Sequence, residues 1–315
     1  KEKREEKGKR FTTRKRVKQA AIGVFTRQLA TMITSGLPLV QSLDALSQQL
    51  EDGNLRAIIR DVKRKIEEGV RFADALRDYL KCFDELYVNL VLAGEEGGTL
   101  DAVLVRITSY IEKTEKLKKK VKSALIYPAS IITVAIAVVM VLLVFVIPVF
   151  EGMFSSFGRA LPAPTQIVID LSTFVKSTIH FMIAGVIVGA FLLRRYYKTQ
   201  VGAKQLDRLI LRVPVIGLLL KKASLARVTR TLATLLSSGV SILESLIIVA
   251  KTAGNKVIEE ALLTARVHIS EGRSISDPLR ESGVFPPMVV QMIQVGESTG
   301  ALDNMLNKIA DFYED

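Results

Sequence analysis

Between Lys122 and Glu151 the chain runs for 28 residues, "SALIYPASIITVAIAVVMVLLVFVIPVF", without one Asp, Glu, Lys, Arg or His. About 20 such residues, coiled as a helix that satisfies its own backbone, cross the hydrocarbon core of a bilayer. The run predicts a transmembrane helix over 123–150, with Pro128 and Pro148 near its two ends. A shorter stretch, "STIHFMIAGVIVGAFLL" (Ser177–Leu193), predicts a second span over 176–193. Lys176 can snorkel to the interface, and Tyr196 and Tyr197 fit an interfacial aromatic belt. Gly185 and Gly189 form a G-x-x-x-G that would let another helix approach closely.

The flanks of these spans carry the charge. The chain has a net charge of +12, which on its own suggests nucleic acid. Yet the basic clusters "KTEKLKKKVK" (Lys113–Lys122) and "RRYYK" (Arg194–Lys198) abut the apolar runs, where they act as topology signals and touch anionic lipid. The loop between the spans, 151–175, carries Arg159 against Glu151 and Asp170. The bias therefore puts that loop outside the cytoplasm, both large flanking segments inside it, and no nucleic acid among the partners. Residues 1–20 open with a basic arm too poor in apolar side chains to bury a core.

Those flanking segments resemble each other. "TRQLATMITSG" (Thr26–Gly36) returns as "TRTLATLLSSG" (Thr229–Gly239), identical at seven of eleven positions and offset by 203. "IEEGVRFADALRD" (Ile66–Asp78) returns as "ISEGRSISDPLRE" (Ile269–Glu281) at the same offset, and "AGEEGGTLDAVL" (Ala93–Leu104) as "VGESTGALDNML" (Val295–Leu306) at 202. Three anchors over some 80 residues argue for a duplicated domain rather than a short-period solenoid. Apolar spacing in each copy is helical: Leu29, Met32 and Ile33; Leu39, Leu43, Leu46 and Leu50; Leu55, Ile59, Val62 and Ile66. Gly36, Gly69, Gly239 and Gly272 sit where left-handed caps would end helices. The expectation is an all-α membrane protein with two duplicated cytoplasmic bundles of about six helices, at 21–122 and 223–315, the second reached through a basic connector over 194–222. By the repeat, a third span is expected beyond Asp315.

No catalytic constellation is legible. Walker A, G-x-S-x-G and H-E-x-x-H motifs are missing, and the two histidines, His180 and His268, lie far apart in the sequence. Cys82, the sole cysteine, lacks a nearby histidine and reads as a small buried apolar residue. No enzyme activity, cofactor or metal site is expected. The most specific local pattern is G-E-x-x-G-x-L-D-x-x-L, at Gly94–Leu104 and Gly296–Leu306. Gly94, Gly98, Gly296 and Gly300 suit a turn, and Asp101 and Asp303 the first turn of the next helix, where the dipole favours a carboxylate. Glu95 and Glu297 have no such evident role in the turn; a structural part in the fold, the favoured reading, and a contact for a partner or a cation are the alternatives. Arg27 and Arg230, matched in the first helix of each copy, suit an internal salt bridge or a contact with lipid or partner.

The stretches "FTRQLATMITSGLPLVQSLDAL", "KVKSALIYPASI" and "SGVFPPMVVQMIQVGESTGALDNML", with the duplication, resemble the inner-membrane platform proteins of type IV pilus assembly machines. The wider family includes the F protein of type II secretion systems. The resemblance implies a non-enzymatic scaffold in the bacterial inner membrane. Its implied partners are hexameric assembly and retraction ATPases, pilin subunits, inner-membrane alignment proteins and further copies of itself, as a dimer or higher homo-oligomer. The alternative is a secretion platform; a membrane-tethered signalling protein is disfavoured by a loop too small for a ligand domain.

Overall fold

Alternating turns and helices account for the whole of the structure, a computed structural model that describes residues 17–156, 163–214 and 216–314. The first run comprises α1 (Gln19–Thr34), α2 (Leu39–Gln49), α3 (Gly53–Glu67), α4 (Phe72–Arg77), α5 (Glu85–Glu96) and α6 (Leu100–Val141). A π-helical turn at Leu142–Val146 leads into α7 (Ile147–Ser156), followed by α8 (Ala163–Tyr197) and α9 (Gln200–Arg212). The last run comprises α10 (Ile216–Ser237), α11 (Ile242–Thr252), α12 (Lys256–Ser270), α13 (Ser276–Glu281), α14 (Pro287–Thr299) and α15 (Leu302–Glu314). The fold is all-α. Most of the expected basic arm, Arg159 and anything past Asp315 lie outside the described residues.

Two compact units result: one gathers the described residues up to Leu117 with those from Leu218 onward, the other spans Lys118–Gly217. In the first unit the helices end as their glycines dictate. Gly36 has φ +83° and Gly239 φ +85°. Around them Gly36 N–H donates to Ile33 O at 2.9 Å and Leu37 N–H to Met32 O at 3.0 Å, with the same pair of bonds at Gly239 and Val240. These are Schellman closures, which only a residue tolerant of positive φ completes without strain. Helix starts are closed by side chains: Asp52 accepts from Asn54 and Leu55 N–H, Asp84 from Tyr87 N–H, and Asn255 from Val257 and Ile258 N–H.

The apolar stripes converge on one core. Leu29, Leu43, Leu46, Leu55, Ile59, Val62, Leu104 and Ile107 are buried with Leu232, Leu246, Val249, Leu262, Val289, Ile293, Leu306 and Ile309. The two runs are tied directly as well. Thr231 Oγ1 donates to Tyr110 Oη at 3.3 Å, Lys113 pairs with Asp311 at 3.0 Å, and Lys251 with Glu85 at 2.7 Å.

The second unit is different in kind. Among the described residues one helical stretch, Leu100–Phe150, is long and apolar enough to cross a membrane. Every residue from Ile131 to Val139 is exposed, on all sides of the helix. Pro128 is carried within α6, whose helical bounds run on past it. Pro148, lacking an N–H, cannot bond to the Val144 carbonyl, and just before it the helix widens so that Ile147 N–H bonds to Leu142 O. The Leu143 carbonyl in this widened turn accepts from the buried Ser172 hydroxyl of α8.

Candidate functional site

The repeated turn motif is a clasp between two helices, α4 and α5, through a residue far from the amides it serves. Helix α4 starts at Phe72 with Arg71 before it, a residue whose side chain offers no cap. Its first two amides find their acceptor on α5: Phe72 N–H donates to Glu95 Oε1 at 2.8 Å and Ala73 N–H to Glu95 Oε2 at 2.7 Å. Glu95 thus caps a helix start 23 residues upstream, with its charge at the positive end of that helix. Glu297 does the corresponding work at 2.9 Å from Ile275 N–H, but its second oxygen takes the Ser274 hydroxyl at 2.6 Å. Ser274 in turn accepts from Ser276 N–H at 3.2 Å, standing between the carboxylate and the amide that Ala73 offers directly in the first run. Ser274 occupies the place of Arg71, which instead pairs with Asp74 at 2.7 Å and Glu96 at 3.3 Å. Both glutamates therefore have the structural role that their sequence context hides.

Gly94 and Gly296 are not turn residues: they lie buried in the last turns of α5 and α14, where the next helix crosses tightly. A Cβ on Gly94 would stand 3.0 Å from Val103 Cβ and 3.2 Å from Leu100 Cα; on Gly296 it would stand 2.9 Å from Leu302 Cα. Gly98 (φ +65°) and Gly300 (φ +69°) make the turn itself. Asp101 and Asp303 fall in the first turns of α6 and α15.

The two arginines both form internal pairs, in unlike settings. Arg27 Nε donates to Glu112 Oε1 at 2.9 Å with 63% of its side chain exposed. Arg230 is 6% exposed and is bound by Glu314 at 2.9 Å, Asn307 Oδ1 at 2.6 Å and Asp311. Gly185 and Gly189 lie on α8, where a Cβ would meet no packed neighbour within 4 Å.

Cys82 is buried, and burial pushes its thiol up to about 12, so it is a neutral packing group at physiological pH. His268 lies 3.4 Å from Arg273, and no cluster of His, Cys, Asp and Glu suited to a metal occurs among the described residues. Two features escaped the sequence. Asp61 accepts from Tyr79 Oη at 2.5 Å and from Arg64 and Lys65 at 2.6 and 2.9 Å. Burial alone would raise the Asp61 carboxyl, but these donors outweigh it and hold it at about 2. A groove of 620 Å³ lies between α1 and α6, lined among others by Arg27, Thr31, Ser35, Val105, Ser109 and Glu112.

A family model described as "Type II secretion system (T2SS), protein F" matches residues 25–148 and 228–315. The type IV pilus assembly protein PilC of Myxococcus xanthus is 53% identical over 93% of this chain and 70% of its own length. The type IV pilus assembly protein TapC of Aeromonas hydrophila is 40% identical, covering 95% of this chain and 73% of its own. The type II secretion system protein F of Vibrio cholerae is 34% identical, covering 96% and 74%.

Proposed function

The chain belongs to the type II secretion system protein F family, and from that premise we propose that it is the inner-membrane platform of a type IV pilus assembly machine. The observation that carries the pilus reading is the 53% identity, over 93% of the chain, to a type IV pilus assembly protein. The secretion-system relative stands at 34%, so pseudopilus assembly is the weaker alternative.

The physical case for a membrane platform rests on two features. A helix that exposes apolar side chains on every face from Ile131 to Val139 suits lipid, the solvent that accepts them. The residues before Leu117 and after Leu218 pack into one unit, so both ends of the intervening chain lie on one side of any bilayer. The segment between them then crosses an even number of times. One span at 123–150 calls for a return, and 176–193 within α8 supplies it. The basic flanks assign the packed unit to the cytoplasm.

In this reading the duplicated bundles, 21–122 and 223–315, form the body on which hexameric assembly and retraction ATPases act. The membrane helices hand pilin subunits to or from the filament base, beside the inner-membrane alignment proteins. Work is transmitted mechanically, with no chemistry in the chain itself. Because Tyr110 bonds with Thr231 and Lys113 with Asp311, the two bundles move as a pair rather than as independent levers. The test is a strain deleted for this protein, scored for surface pili and for secreted type II substrates. Loss of pili with secretion intact, restored by the wild-type chain, is expected. Intact pili would overturn the reading, and lost secretion with intact pili would move it to the alternative.

A further inference from the structure

The lining of the α1–α6 groove recurs in the second half, covered there and open in the first. It maps by the offsets 203 and 202 onto α10 and α15: Arg27 onto Arg230, Thr31 onto Thr234, Ser35 onto Ser238, Val105 onto Asn307, Ser109 onto Asp311, Glu112 onto Glu314. In the second half side chains of α6 lie over these positions. Arg106 donates to the Ser237 carbonyl and reaches Ser238 Oγ at 3.4 Å, Tyr110 meets Thr231, and Lys113 meets Asp311. Beneath this cover Arg230 is 6% exposed. In the first half the groove stands open, Arg27 is 63% exposed and Val105 51%.

What covers the second lining defines what the open groove accepts: a helix face with a cation, an aromatic ring one turn on, and a run along the C-terminal end of the receiving helix. That end carries the unpaired carbonyls and the negative pole, which attract a cation. By the same offset, the face of α6 bearing Arg106 and Tyr110 recurs on α15 as Lys308 and Phe312. Both are exposed, Phe312 at 62%. The open groove is also the more apolar of the two, with Val105 in the place of Asn307, which suits a phenyl ring better than a phenol.

We propose that α15 of one chain, through Lys308 and Phe312, docks in the α1–α6 groove of a second copy, repeating between chains the contact that α6 makes within the chain. Each chain then offers one donor helix and one acceptor groove. Such a heterologous contact links copies head to tail, and closes into a ring only where the rotation between copies divides a full turn. The inference does not depend on the pilus reading, since it uses only the two groove linings and the two helix faces.

The test uses full-length protein in native membranes, with Cys82→Ser removing the native thiol. Two differently tagged copies are co-expressed, one with Ser35→Cys and the other with Lys308→Cys, the pair that corresponds to Ser238 and Arg106. Mild oxidation is expected to join the two tags, while neither variant expressed alone forms a dimer with itself. Adding Phe312→Asp to the Lys308→Cys copy should cut the joined fraction about tenfold, as loss of an aromatic anchor does, with the thermal midpoint unchanged. Ser109→Arg, which crowds the groove from the other side, should act alike. No joined species, self-dimers as abundant as the mixed one, or a Ser35→Cys adduct with a different protein would each overturn the proposal.

Discussion

Glu95 shows how a residue's role can be hidden from its own neighbourhood. Its two acceptor oxygens serve amides 22 and 23 residues away, so nothing in G-E-x-x-G announces a helix cap. The repetition of the glutamate was legible; its purpose was not, because it depends on α4 folding back beside α5. The two copies also differ in a testable way. Glu95→Gln sets an amide NH2 against a backbone N–H and should cost about 1–3 kcal/mol. Glu297→Gln should cost roughly half as much or less, since Ser274 can turn its hydroxyl to accept from the new amide. Thermal midpoints of the two purified variants decide it, and equal losses would contradict the asymmetry. Asp61 adds a pH signature. Its folded carboxyl sits at about 2, below the ordinary unfolded value of about 3.9, so its stabilisation is complete above that value. It is lost as pH falls from about 4 to about 2. Asp61→Asn should flatten the midpoint-versus-pH curve in that window and leave its shape near neutrality unchanged.

At the scale of the element, periodicity carried most of what the sequence had to tell. The stripes through Leu29, Leu43, Leu46, Leu55, Ile59 and Val62 point into the core as their spacing requires, and the glycine-ended helices stop where φ turns positive. The sequence puts Gly94 and Gly296 in the turn because a glycine next to a turn reads like part of it, whereas both lie within helices. Close packing of two helix backbones leaves no periodic trace, and it shows only in how near a Cβ at either glycine would come to the crossing helix. Alanine at Gly94 or Gly296 should therefore cost about 1–3 kcal/mol by overpacking. Gly296→Ala should be the worse, because its nearest obstacle at 2.9 Å is the Leu302 backbone. Gly185→Ala and Gly189→Ala meet no packed neighbour within 4 Å and should leave the stability within about 0.5 kcal/mol of wild type. A loss of piliation in those two variants without a loss of stability would then report a helix from outside the chain packing on α8. The π turn at Leu142–Val146 was equally invisible: Pro148 predicts a disturbance, but the rescue of the Leu143 carbonyl by Ser172 depends on α8 lying alongside.

For the whole molecule, the pairing of the two runs sets the membrane arithmetic. Charge bias in the sequence leads to an expectation that both flanks are cytoplasmic, a statistical rule that says nothing of whether they touch. Contacts such as Tyr110 with Thr231 and Lys251 with Glu85 replace that rule by geometry, since residues in hydrogen-bond contact share one side of a bilayer. In the proposed topology the chain between Leu117 and Leu218 then crosses an even number of times, with Leu100–Phe150, the one described stretch long and apolar enough to cross, paired with the proposed span at 176–193. In intact cells lacking Cys82, cysteines at Ser35 and Ser238 should both resist an impermeant maleimide and react only once the inner membrane is opened. A cysteine at Gly152, past the end of the first span, should react as soon as the outer membrane is permeable. If Ser35 and Ser238 label from opposite sides, the contact between the halves and the paired spans fall together. If all three label only after the inner membrane is opened, the halves remain joined, and Leu100–Phe150 enters the bilayer without crossing it.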